Sequence, residues 1–146
     1  MQMEFNLNQK LADSCVVLGD FKLSRLLLVN NSHFPWLILV PRRAEATEVY
    51  KLCKDDQISL IMESNLVARV MDQLFSPDKL NIASIGNIVP QLHVHHVARF
   101  KTDPAWPGTV WGHQSQRQYE VEKLPKLVEH LQEAFKSYLK KPKAAT

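Results

Sequence analysis

The stretch NIVPQLHVHHVARF, residues 87–100, places three of the chain's six histidines within four residues of what otherwise reads as an apolar strand. Imidazole nitrogens are costly to bury unless each finds a partner. Along a strand, alternate side chains share a face. A strand over 92–100 therefore aligns Gln91, His93, His95, Val97 and Arg99 on one side, and Leu92, Val94, His96, Ala98 and Phe100 on the other. The second set is mostly apolar and is predicted to meet helices. The first is predicted to look into a cleft, with His93 and His95 about 6.5–7 Å apart at Cα. His96 points the other way and is expected to pack with one nitrogen bonded to backbone or water.

Three readings of the His93–His95 pair are open on periodicity alone. An HxH pair on a strand can offer two imidazoles to a metal. A third ligand is then needed; His33 and His113 are candidates, no carboxylate lies near in sequence, and both cysteines lie elsewhere. Alternatively one histidine is a nucleophile and its neighbour assists. In the third reading both are structural.

The 146 residues suit one compact domain with an adequate core, and 45% hydrophobic with 23% charged residues is ordinary for a soluble protein. A net charge of +3 without a long basic run or arginine-rich arm gives no reason to expect nucleic acid. Much of that excess lies in KSYLKKPKAAT, residues 136–146, which reads as a solvated basic tail. Cys15 and Cys53 are far apart and form no CxxC motif, so a disulfide framework or zinc knuckle is not expected. The start MQMEFNLNQKLADS lacks the basic and apolar blocks of a signal peptide. The longest apolar runs, LLLV and WLILV, are far short of a membrane span. A cytoplasmic protein without membrane attachment is expected.

Residues 7–14 read as a short helix, and CVVLGDF as a strand with a Gly-Asp turn. RLLLVNN and WLILVPRR read as central strands split by a hairpin-type loop, NNSHFP. AEATEVYKLC and QISLIMESNLVARVMDQLF both read as helical; in the second, Leu60, Val67, Met71 and Leu74 form one stripe, expected to pack on the sheet. SPD stops that helix, and KLNIAS resumes strand character. DPAWPGTVWGH, residues 103–113, reads as a rigid loop. Trp106 and Trp111 there either wall a base pocket or, as rings in proline-rich loops more often do, anchor the loop over the core or a dimer seam. Leu124, Leu127, Val128, Leu131 and Phe135 mark a final amphipathic helix with Pro125 in its first turn. The order is an α+β layout of mostly antiparallel strands.

The segment Gln91-Leu92-His93-Val94-His95-His96-Val97 resembles the motif of the histidine triad (HIT) superfamily, in which His alternates three times with hydrophobic residues. His93 matches the middle, nucleophilic histidine and His95 the third. Gln91 stands where the first histidine would be, and His96 occupies a normally hydrophobic place. LLLVNNSHFPWLILVPRR is similar to the family's paired strands, and LNIASIGNIVPQ to the approach to the triad. The resemblance covers residues 21–100, and DPAWPGTVWG is similar to a bacterial subgroup with Gln at the first triad place.

The resemblance implies a HIT-like antiparallel sheet of about five strands with helices on one face. The expected organisation is one such domain over 1–146, with 101–146 forming the Trp/Pro-rich loop, C-terminal helix and basic tail. It implies a nucleotide hydrolase or nucleotidyl transferase that attacks an α-phosphate through His93. A covalent nucleotidyl-histidine would form, on dinucleoside polyphosphates or nucleoside phosphoramidates, with no metal or other cofactor. His95 would donate to the phosphate, and Gln91 would orient without an imidazolium's charge. Asn30 falls at the ribose position, Asn81 at a phosphate-side contact, and Asn87 in the turn beside the site; turn formation is the alternative role of each. A homodimer is implied as well. The competing functional reading is a nucleotide-binding module whose catalysis is weak or lost because Gln91 replaces the first histidine. Arg99, on the His93 face, is either part of the site or a solvated strand end.

Overall fold

A computed structural model describes residues 4–114 and 116–141. Residues 142–146 of the expected basic tail lie outside the described residues. Five strands, β1 (Cys15–Asp20), β2 (Ser24–Val29), β3 (Trp36–Pro41), β4 (Lys79–Ala83) and β5 (Val94–Arg99), form one antiparallel sheet in the order β1-β2-β3-β5-β4. The helices are α1 (Gln9–Ser14), α2 (Lys54–Phe75) and α3 (Leu124–Phe135).

The centre of the sheet follows from its apolar runs. Leu26, Leu27 and Leu28 of β2 and Leu37, Ile38, Leu39 and Val40 of β3 are all buried, because both faces of these strands are covered. On one face Leu26, Leu28, Leu37 and Leu39 pack with Leu60, Val67 and Met71 of α2 and Leu131 and Phe135 of α3. Each such fully buried side chain stabilises the fold by about 1.5–3 kcal/mol relative to exposure. Leu74, the fourth residue of the predicted stripe, is partly buried against the same core. Pro125 sits at the start of α3, where its missing N–H costs no helical hydrogen bond.

The opposite face differs from the expectation that all helices share one side. Leu11 of α1 packs there with Leu27, Ile38 and Val40, joined by Phe5 and Leu7. The short helix is held by Asn8, whose side chain accepts from the Lys10 N–H, a standard N-terminal cap. The predicted helix over AEATEVYKLC is also not formed; only a 3₁₀ turn, Val49–Lys51, appears. Glu45 has φ 59°, a left-handed conformation that interrupts any helix through it. Finally, β5 begins at Val94 rather than Leu92. Upstream of that point the chain leaves β3, and the Leu92 N–H donates to the Ala46 carbonyl instead.

Candidate active site

The alternation running into β5 sorts His93, His95 and His96 as the sequence reading expects. His96 is fully buried beneath α2, where its Nε2 and the Ser64 Oγ share a 2.7 Å hydrogen bond. Burial pushes its pKa down to about 4, partly offset by the neighbouring backbone of Leu37 and Val94. It is a neutral core residue that ties helix to sheet.

His93 and His95 lie on the other side, in the wall of a cavity of about 470 Å³. That size falls within the range of roughly 300–1,000 Å³ usual for small-molecule sites. Their rings are 4.7 Å apart and roughly perpendicular. His93 immediately precedes β5, and its Nδ1 lies 2.7 Å from the Gln91 backbone oxygen. A carbonyl can only accept, so Nδ1 carries a hydrogen, and in the uncharged form of the ring the lone pair is on Nε2. Burial pushes the His95 pKa down to about 3, reinforced by the neighbouring His93 and His96. Trp36, on β3, donates its indole N–H to His95 Nδ1 at 3.0 Å. The Trp111 ring meets His95 at 5.4 Å and lines the cavity.

The remaining wall comes from α1, the 85–89 loop, residues 110–113 and Gln116. Asn87 is exposed and faces the cavity. Lys10 of α1 is the one lysine, arginine or carboxylate side chain among its described lining residues.

Of the other residues singled out from sequence, His113 lines the same wall, whereas Gln91, Asn30, Asn81 and Arg99 do not. Gln91 contributes its backbone carbonyl to His93, whereas its side chain turns to the N-terminal segment. The amide oxygen accepts from the Asn8 N–H, and the amide nitrogen donates to the Asn6 carbonyl, both at 2.8 Å. Asn30 accepts the Tyr119 N–H through Oδ1; its neighbour Asn31 is the one that reaches the cavity. The Asn81 Oδ1 accepts from the Arg99 guanidinium.

Arg99 is neither a solvated strand end nor part of the cavity. It is 1% exposed and forms a two-pronged ion pair with Asp103. Phe34 and Trp106 rings lie 5.7 Å from its guanidinium carbon. Asp103 also accepts three backbone N–H groups, from Phe100, Ala105 and Trp106. Burial raises its carboxyl pKa, but the Arg99 and backbone bonds outweigh this and hold it down to about 2. The 101–106 part of the loop thus roofs the Val97–Arg99 part of the face, and Trp111 at its far end packs against His95 beside the cavity. Trp106 anchors this roof; Trp111 both packs on Trp36 and lines the cavity.

Sequence reasoning passed over Trp36 and Lys10 as site residues. Trp36 begins an apolar strand and carries no motif signal. Its partner is visible only once β3 and β5 are paired with Trp36 opposite Val97, one diagonal step from His95. Among the described residues, no group of three or more His, Cys, Asp or Glu side chains is arranged to hold a metal ion. No helix among the described residues is long and apolar enough to cross a membrane.

The HIT domain model matches residues 10–102. A histidine triad protein of Marinobacter aquaeolei VT8 is 40% identical, with a TM-score of 0.89 over 93% of this chain and 99% of that one. One from Bradyrhizobium japonicum is 35% identical, with a TM-score of 0.86 over 94% of this chain and 100% of its own. One from Sinorhizobium meliloti 1021 is 39% identical, with a TM-score of 0.85 over 89% and 96%. No curated protein matches the chain.

Proposed function

The chain belongs to the histidine triad family, whose members are typically nucleotide-binding hydrolases or transferases, and from that premise we propose that it cleaves a nucleotide at its α-phosphate with His93 as nucleophile. The substrate class is a dinucleoside polyphosphate or a nucleoside phosphoramidate, as the resemblance implies. The observation that carries the reading is the 2.7 Å bond from His93 Nδ1 to the Gln91 carbonyl. It leaves the Nε2 lone pair on a ring that lines the cavity.

In the first step Nε2 forms a bond to phosphorus while the bond to the leaving group breaks with its electron pair. A polyphosphate leaves as an anion; an amine leaves with a proton taken from water. The imidazole becomes a phosphorylated cation whose Nδ1–H stays on the Gln91 carbonyl, which stabilises the positive charge. Water then attacks phosphorus, the N–P electrons return to Nε2, and one proton goes to solvent. One displacement becomes two. His95 and Asn87 are the donors to the phosphate oxygens, and one such donor is typically worth about 3 kcal/mol of barrier. Lys10 is the cation nearest to hand for the substrate's charge.

A nucleotide-binding module with weak or lost turnover is the second reading. One observation favours it: the Gln91 amide, at the place of the first triad histidine, is engaged with Asn6 and Asn8 and adds no donor to the cavity. Incubation with nucleotide labelled at the α-phosphate separates the two. An acid-labile, base-stable label on the wild type that is absent from His93→Ala supports the nucleophile. Tight binding with neither label nor product selects the binding module.

A further inference from the structure

His95 has an aromatic ring on three sides: His93 at 4.7 Å, Trp111 at 5.4 Å and Trp36 at 5.6 Å. Trp36 differs from the other two because it also bonds, through Nε1–H to His95 Nδ1 at 3.0 Å. An indole N–H can only donate. His95 Nδ1 must therefore present a lone pair to Trp36, and the one hydrogen of the neutral ring sits on Nε2. His93 is held in the opposite sense, with its hydrogen on Nδ1 against the Gln91 carbonyl. Two histidines 4.7 Å apart thus show the same ring atom in opposite states: Nε2 bare on His93, Nε2–H on His95.

We propose that Trp36 is a positioning residue that locks His95 as a neutral Nε2–H donor to the substrate phosphate. This rests on the reading of the cavity as a nucleotide phosphate site. Two consequences make the lock matter. Without the indole N–H, His95 Nδ1 becomes a buried acceptor with no partner, and the ring can satisfy itself by moving its hydrogen there. Its Nε2 then offers a lone pair to an anion instead of a donor. In addition, a cationic His95 at this distance would draw electron density from the His93 lone pair and weaken the nucleophile. The tryptophan donor opposes protonation of Nδ1 directly, because a protonated Nδ1–H would face an N–H.

The test uses the ring nitrogen signals of His95 in long-range ¹H–¹⁵N spectra of the substrate-free protein near neutral pH. The wild type is expected to show a bare Nδ1 and a protonated Nε2. Trp36→Phe keeps a large ring but removes the N–H; it should move the Nδ1 signal toward the protonated value. In turnover, kcat should fall by about tenfold or more, approaching the roughly 10²–10³ lost with a transition-state donor, while KM changes far less. A wild-type His95 that carries its hydrogen on Nδ1, or is cationic, overturns the inference without need of any variant. So does a folded Trp36→Phe protein with unchanged His95 signals. A wild type that binds nucleotide without turning it over would sink the enzymatic reading alone, and the spectra still decide the role of Trp36.

Discussion

Two buried imidazoles with strongly lowered pKa values make this fold acid-sensitive well above the carboxylate range. The ordinary histidine value is 6.5; in the folded chain His95 is held down to about 3 and His96 to about 4. Below pH 6.5 the unfolded chain binds a proton at each site and the folded chain does not, so stability rises with pH in that window. Each histidine contributes a slope approaching 1.4 kcal/mol per pH unit, and both together about 2.8. From about pH 7 to about pH 5 the loss integrates to about 2 kcal/mol per site, or 3–4 kcal/mol in all. That is a large share of the roughly 5–15 kcal/mol that holds a typical domain. The stabilisation is complete above 6.5 and fades as pH falls toward the folded values. Urea unfolding at half-unit pH steps measures it. His96→Asn, which keeps a neutral polar group beside Ser64, lowers overall stability but should halve the slope. An unfolding free energy that is flat between pH 7 and 5, or a slope untouched by His96→Asn, would refute the reasoning.

Asp103→Asn should destabilise the fold by about 3–5 kcal/mol, because it strands a guanidinium that is 1% exposed; a loss under about 1 kcal/mol in urea unfolding would mean that the Arg99 cluster reaches water. Gln91→Ala removes the two bonds to Asn6 and Asn8 but leaves the backbone carbonyl on His93. Hydrogen exchange of the Asn8 amide should accelerate by about tenfold or more, as expected for a lost bond of roughly 1.5 kcal/mol. Covalent labelling of His93 should persist, and its disappearance would show that the side chain takes part in the chemistry.

What could be read along the chain was whatever depends on local period. The two-residue repeat of β5 separated His93 and His95 from His96, and the helical stripe of α2 named the residues that cover the sheet. What could not be read depends on pairing across long separations. Arg99 shares a face with the histidines, but Asp103 lies in a loop that folds back over that face, and only the folded loop shows the cation to be enclosed. Asn81 lies on the β4 edge opposite Val97, under the same roof, and so meets Arg99 rather than the cavity. The Gln91 side chain finds partners more than 80 residues upstream. Trp36 reaches His95 only because β3 and β5 pair across an intervening helix and strand.

These placements bear on what the glutamine side chain at position 91, beside the histidine pair, does. The His93 tautomer is set by a backbone oxygen, and every residue type supplies one of those at position 91. The side chain there is consequently free to serve another purpose, and here it fastens the segment that carries α1, whose Lys10 and Leu11 form part of the cavity wall. The His95 tautomer has no such backbone partner and depends on an indole from β3. Substitution at 91 should therefore act mainly on the shape of the wall, whereas substitution at 36 should act on proton placement. The two positions ought to show nearly additive losses in a double variant, since their side chains hydrogen-bond to separate partners. A strong coupling between Gln91→Ala and Trp36→Phe in kcat would mean that the wall and the histidine pair move as one unit, contrary to this division of roles.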